Sequence, residues 1–397
     1  MRYLLLLSAV FGLALPAQGD ALDVSGFVEA EGRAFPSESR SIEALDRAAS
    51  GSFALQPEVR WQLDAQSTIT VVPFVRFDAD DSERTHWDLR EANILLNAGN
   101  WDLRLGLDKV FWGVAESRHL ADIINQTDQV EGLDEEDKLG QPMVNLNVLT
   151  GVGTLSGFLL PYFRERTFVG LEGRPALPLP VAEDLAVFEA PDEERHIDYA
   201  IRWQGRFGEF DIGLSHFHGT SREPSLVPTF SPGGLIFVPF YQLIDQTSLD
   251  AQATFDAWLL KLEAIIRSGQ GDTFFAAVGG FEYTVYGVFS SNADLGVIAE
   301  YHRDERGISA PFTIFNNDLM VGARLALNDE DDTSLIAGGV VDIDTRTTFL
   351  TFEFATRLAE GWKLEAEARL LPYVANGSVE TSFEREQVVI IRLQRFF

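Results

Sequence analysis

The chain is predicted to fold as an all-β, antiparallel up-and-down β-barrel that crosses a membrane with about eighteen strands, sixteen also fitting the pattern. Three observations lead there. Apolar and polar side chains alternate with a period of two from Val24 to Phe397, and 3.6-residue periodicity is scarce. Many alternating segments are close to the roughly 9–11 residues that a tilted strand needs to span a bilayer. The connections are by turns short and long, as in a barrel with tight periplasmic turns and long extracellular loops. A soluble β-sandwich has no reason to keep that parity.

Residues 1–19 read as a cleaved secretory signal peptide. Met1 and Arg2 precede the apolar run Tyr3 to Leu15, too short to span a bilayer, and Ala17-Gln18-Gly19 supplies a small-residue cleavage site. The barrel domain is then residues 20–397. Its first segments are 24–35 and 52–64; in the second, Phe53, Leu55, Val59 and Trp61 share one face, and Gln56, Glu58, Arg60 and Gln62 the other. In 68–78 and 85–98, Pro73 (like Pro57 before it) removes a ladder donor, so local bulges are expected, and the alternation slips phase between Leu89 and Ala92. Segment 101–112 ends at Phe111-Trp112-Gly113, and alternation resumes only at 144.

Segments 144–151, 153–163 (which contains Pro161), 195–207 and 209–219 complete the first half. The second half gives 245–256, 258–268, 272–289, 294–303, 317–327, 333–342 and 346–358. Segment 362–374 would be a helix by propensity. As a strand, however, Trp362, Leu364, Ala366 and Ala368 separate cleanly from Lys363, Glu365, Glu367 and Arg369. Segment 386–397 ends the chain. Short connections follow even-numbered segments, as at 99–100 and 256–257, and long ones follow odd-numbered segments: 36–51, 113–143, 164–194, 220–244 and 304–316. Trp101, Trp258 and Trp362 begin segments straight after a short turn, and Trp61 and Trp203 lie just before one. An aromatic girdle at the periplasmic boundary would be placed this way.

Composition narrows the function. There is no cysteine, which excludes disulfides, thiol chemistry and thiolate metal sites. A net charge of −30 opposes nucleic acid. Such acidity also suits disorder, but a chain with 46% hydrophobic and 11% aromatic residues can bury a core. No apolar run of about 18 residues follows the signal, so no transmembrane helix is expected. Neither G-x-S-x-G nor H-E-x-x-H occurs, and no enzyme is expected. His216 and His218 share a strand face without an evident third ligand. The acids of 128–137 and 328–333 miss the calcium-loop spacing, so neither a metal site nor a cofactor is expected. Arg60, Arg76, Arg104, Arg202, Arg324, Arg357, Arg369 and Arg392 fall on the polar phase of their segments, with Glu58 and Asp102 among the facing acids. Guanidinium–carboxylate pairs on this lumen-lining face would stiffen the wall or set a field that orients small polar or anionic solutes.

The closing segment "VVIIRLQRFF", with Val389, Ile391, Leu393 and Phe397 on one phase, resembles the C-terminal strand of porin-like outer-membrane β-barrel proteins of Gram-negative bacteria. Arg395 departs from that pattern, where an aromatic is favoured. "LREANILL", "LRLGLDKVFWG" and "DLGVIAEYHRD" add to the likeness. The resemblance implies an outer-membrane location among lipid and lipopolysaccharide, with Phe397 read by the barrel assembly machinery; homo-oligomerisation stays open. It further implies that the third long loop, 113–143, folds back into the pore. There Leu120, Ile123 and Ile124 would be the buried side of a short helix, and Asp122, Asp128, Glu131, Asp134, Glu135, Glu136 and Asp137 a negative constriction. The implied function is a channel for passive or facilitated diffusion of small solutes. One rival is an uptake barrel for apolar compounds, with Leu235, Ile236, Phe237, Val238, Phe240 and Tyr241 as an extracellular apolar patch. Another is a structural or adhesive barrel.

Overall fold

Period-two alternation sorts side chains to opposite faces of a strand, and a membrane rewards only strands whose backbone groups are all paired, which a closed ring supplies. The computed structural model describes residues 21–39, 47–132, 135–377 and 379–397; the expected signal peptide, 1–19, lies outside them. Twenty-one strands run in chain order among the described residues. The first seven are β1 (Leu22–Ala34), β2 (Ala49–Gln62), β3 (Ser67–Asp78), β4 (His86–Asn97), β5 (Trp101–Asp108), β6 (Gln141–Thr150) and β7 (Gly153–Leu160). Next come β8 (Val187–Phe188), β9 (Asp198–Phe207), β10 (Phe210–Thr220), β11 (Ser225–Ser231), β12 (Gly234–Tyr241), β13 (Leu243–Phe255) and β14 (Trp258–Ser268). The last are β15 (Phe274–Val285), β16 (Asp294–Asp304), β17 (Asn317–Ala326), β18 (Ser334–Asp342), β19 (Thr348–Ala359), β20 (Trp362–Tyr373) and β21 (Val388–Phe396).

Eighteen of these form one antiparallel sheet, and β1 pairs with β21 (Phe27 opposite Phe396), so the sheet closes on itself. The fold is therefore the expected eighteen-stranded barrel. The remaining three, β8, β11 and β12, make a small separate sheet in the loop region. Outward positions carry exposed Leu214, Leu260, Ile266, Val321 and Phe352, an apolar band of the kind that faces lipid. Trp61, Trp101 and Trp258 are exposed at the short-turn ends of their strands.

The prolines are accommodated locally. Register shifts between Val72 and Pro73, so that Arg90 becomes an extra residue of β4 opposite β3. This bulge is the physical cause of the phase slip between Leu89 and Ala92. Pairing of β2 with β3 lapses between Leu55–Val75 and Val59–Val71, the stretch that holds Pro57. Pro161 falls just past the end of β7. Several boundaries shift by a few residues, β7 ending at Leu160 rather than 163, and β5 ends at Asp108, not at 112, because the chain leaves the wall there and turns inward.

The apolar patch expected at 235–241 is a hairpin instead. Strands β11 and β12 pair along its length, burying Val238 and Tyr241. The Tyr241 hydroxyl accepts the Arg166 N–H at 3.0 Å and its ring packs on Phe163 and Phe188. Only the hairpin end, with Val227, Phe230 and Leu235, is exposed.

Candidate functional site

Residues 109–132 and 135–140 leave the wall after Asp108 and cross the barrel interior, and the sequence of the inner wall explains where they rest. Inward positions of β6, β7, β9, β10 and β13 are apolar: Met143, Phe158, Leu160, Ala200, Phe217 and Ile244. Trp112, Ala121, Ile123 and Ile124 pack on them. A second apolar patch, Ile265, Phe274, Ala276 and Val278 on β14 and β15, takes Ala115 and Leu120. Trp112 meets Phe158 edge-on at 5.5 Å, and the Arg202 guanidinium lies 5.0 Å from its ring. Trp112 and the hydrophobic residues of 120–124 thus face the wall, while Phe111 stays exposed against His119.

No helix forms here; the loop backbone is satisfied by wall carboxylates instead. Glu263 on β14 accepts the N–H groups of Val114 (2.7 Å), Ala115 (2.9 Å) and Ala121 (3.0 Å). Glu300 on β16 accepts those of Glu116 (2.7 Å) and Ser117 (3.0 Å). Ionised acceptors aimed at several N–H groups satisfy the backbone without a helix, and of these five donors only Ala121 lies in the stretch expected to be helical. A Cβ at Gly113 would come within 3.1 Å of Glu263 Oε1 and closer to His119, so these side chains would have to shift. Burial alone would lower the His119 imidazole, but Glu263, Asp122 and Glu136 outweigh it and hold the group above its ordinary value. Neither Glu263 nor Glu300 was singled out as an anchor from sequence, although both sit on the inward phase of their strands.

Ion pairs complete the attachment. Glu116 pairs with Lys261 (3.2 Å) and Arg324 (2.7 Å), and Arg118 with Asp304 (3.0 Å). Across the interior, Asp128 pairs with Arg90 (2.5 Å) and Glu131 with Arg76 (2.8 Å), while Arg33 and Arg84 donate to the Glu131 and Val130 carbonyls. Burial raises the Glu131 carboxyl, yet Arg76 and Arg84 outweigh it and hold the group below its ordinary value. Asp122 is buried, and burial pushes its carboxyl up against the opposing pull of Lys138, 3.2 Å away.

The expected site residues therefore separate into groups. Asp122, Asp128 and Glu131 are buried in attachments rather than presented to solvent. Glu135 is exposed beside Arg166, and Glu136 and Asp137 help line a cavity. Asp134 lies outside the described residues. Of the arginines, Arg76 is shared by Glu29 and Glu131, Arg202 is clamped by Asp250 (2.6 and 2.8 Å), and Arg392 joins Glu31 and Glu367. Arg104 pairs with Asp108, and Arg369 with Glu367. Arg60 (with Glu58) and Arg357 (with Asp332) are exposed near the short-turn ends of β2 and β19, away from the loop. Asp102 accepts from Asn147 at 2.8 Å. Arg33, Arg84 and Arg90, which hold the loop, were not picked out from sequence.

Because the loop rests on β6–β16, open space remains on the other side. A cavity of about 530 Å³ lies between the loop and strands β1–β4 and β17–β21. The loop contributes Glu136, Asp137 and Lys138; the wall contributes Arg324, Glu353, Glu365 and Glu367. Glu353 stands directly opposite Glu367 across the β19–β20 pair. Like charges so placed repel, and the cations Arg369 and Arg392 on Glu367 offset the repulsion.

One cluster invites a catalytic reading. Ser117 Oγ lies 2.8 Å from His302 Nε2 and also bonds Glu300. Glu300 can only accept, so it takes the one serine proton, and Nε2 must then donate to Oγ. A ring nitrogen that carries a proton cannot remove another, and His302 Nδ1 has no hydrogen-bond partner to orient it. The cluster holds the loop and does not activate a nucleophile.

No protein-family model and no curated protein matches the chain. Among solved structures, Acinetobacter baumannii OccAB3 aligns with a TM-score of 0.56 at 8% identity, over 94% of this chain and 99% of that one. A loop-deletion mutant of OmpT, an outer membrane protein of Vibrio cholerae, aligns at 0.46 and 8% over 95% and 99%. A mutant of the Rh. blastica porin aligns at 0.44 and 10% over 95% and 100%. Closed eighteen-stranded topology, an apolar outer band and the OccAB3 alignment together give this chain the fold of a porin-like outer-membrane β-barrel.

Proposed function

We propose that the protein is a channel through which small solutes diffuse passively, along a path beside the seated loop. The observation that supports this is the cavity of about 530 Å³ on the β17–β4 side, bordered by side chains of both charges. Rows of fixed charge along a narrow aqueous path favour solutes that can align their own dipoles and charges with them. In this reading Glu136 and Asp137 form the loop's side of the constriction, and the buried Asp122, Asp128 and Glu131 hold it in place. Planar-bilayer recording tests the proposal: purified protein should give discrete conductance steps, and silent bilayers would remove the channel.

The rival reading, uptake of apolar compounds, has one feature in its favour, the uncharged hairpin end with exposed Phe230 and Leu235. The charged cavity lining opposes it, since an apolar solute would strip water from these groups without replacing their partners. Uptake of fatty acids exceeding that of sugars and amino acids would reverse the preference.

A further inference from the structure

At the outer end of β4 the imidazole of His86 meets two acids of the loop. His86 Nε2 is 3.7 Å from Asp128 Oδ2 and 3.6 Å from Glu131 Oε1. Both distances exceed the roughly 3.2 Å limit of a good N–H···O bond. They lie close to the separation of neighbouring ligands around a tetrahedral ion with bonds of about 2.1 Å, which is about 3.4 Å. Among the described residues this is the only set of three such ligand atoms within 4.8 Å of one another.

The surroundings match a metal centre in other respects. His86 Nδ1 faces the Arg84 carbonyl at 3.2 Å and donates to it, so in the neutral ring Nε2 presents its lone pair to the carboxylates. Nε2 is buried and has no hydrogen-bond partner. A lone pair facing two carboxylate oxygens is repulsive unless a cation lies between them. The acids are themselves oriented: Asp128 by the Thr167 hydroxyl (2.6 Å) and Glu131 by Arg76. The neighbouring arginines, which bond Asp128 Oδ2 and Glu131 Oε1, are shared with other carboxylates. Arg76 is shared with Glu29 and Arg90 with Asp88, which also takes Arg164.

We propose that His86, Asp128 and Glu131 form a binding site for a divalent transition-metal ion such as Zn²⁺, which ties the inward loop to the β4 wall. One imidazole and two carboxylates are a donor set suited to zinc, with a fourth position left for water. The wall supplies one ligand and the loop two, so the bound ion works as a removable cross-link. Metal binding stands independently of transport; only the effect on conductance rests on the channel reading.

The test is titration of chelator-stripped protein in detergent with ZnCl₂ by calorimetry, and with Co²⁺ by visible absorption. Wild type should bind one equivalent and give a tetrahedral Co²⁺ spectrum. His86→Gln, which leaves both arginine pairs intact, should weaken binding by roughly tenfold or more. Equal affinity in wild type and His86→Gln, or no stoichiometric binding, would overturn the site. Glu131→Gln is a second variant, and the electrophoretic shift of the folded barrel shows that each variant has assembled. Conductance steps in metal-free protein that Zn²⁺ leaves unchanged would refute the cross-link's effect on the path while leaving the site. Silent metal-free bilayers would instead count against the channel alone.

Discussion

Replacing Glu263 with alanine removes the acceptor of three loop N–H groups, those of Val114, Ala115 and Ala121, at 2.7, 2.9 and 3.0 Å. A buried donor left without a partner costs about 1–3 kcal/mol. Taking the low end of that range for each, three donors come to about 3 kcal/mol. At about 1.4 kcal/mol per factor of ten, the unseated form of the loop should rise roughly a hundredfold. Arg118 sits in this segment and pairs with Asp304 at 3.0 Å, so trypsin reaches its peptide bond only when the loop opens. Cleavage of such a transiently open form follows its population. Glu263→Ala should therefore be nicked at Arg118 roughly a hundredfold faster than wild type, with the barrel still assembled by gel mobility. Cleavage at the wild-type rate in an assembled barrel would refute the assignment of Glu263 as an anchor.

Trp112 is buried among Met143, Phe158 and Ile244, and Trp112→Ala should loosen the loop by about 3–5 kcal/mol. Proteolysis at Lys138 reads this, and unchanged protection would show that the indole does not hold the loop. In the loop of residues 161–197, burial and then the nearby Glu194 push Glu165 up to about 7. Burial also pushes Glu183 to about 7, against the Phe168 N–H bond that pulls it down. Between the ordinary value of 4.5 and about 7 these groups bind more protons folded than unfolded, so this loop loses stability as pH rises through that window. Hydrogen exchange at the Phe168 amide should be slower at pH 5 than at pH 8 once corrected for intrinsic rates, and Glu183→Gln should flatten the difference; a rise in protection with pH would contradict the sign. Reversing Glu136 and Asp137 to lysine should move ion selectivity toward anions, measured as the reversal potential across a salt gradient. No change would take these residues out of the path.

The wall was legible because a membrane leaves a strand only one way to sort its side chains. Trp362–Tyr373 shows this well, since its propensity is helical and its alternation is not. The bulge at Arg90 was visible as a phase slip, with Pro73 as its neighbour. The loop was harder. Its inward path was implied only by family likeness, and a helix was expected where wall carboxylates satisfy the backbone instead. One signal was available: from Phe274 to Phe281 both phases of β15 are apolar, which a strand facing water on its inner side would not tolerate. The pairing of His86 with Asp128 and Glu131 could not be read, because nothing in local spacing joins the start of β4 to a loop that returns from the far end of β5.

The places in the chain where the loop finds its partners also order its assembly. Glu263 lies 142 residues beyond Ala121 and 148 beyond Ala115, and Glu300 lies 184 beyond Glu116. The wall, by contrast, grows by pairing each barrel strand with the next barrel strand along the chain, and β1 and β21 meet from farthest apart. The N–H groups of 114–121 thus stay hydrated until β14 and β16 are in place, and contacts of such long separation form late. Closing the ring and docking the loop become separate events in time. The interior is furnished before the ring shuts, because joining Phe27 to Phe396 spans a still longer separation.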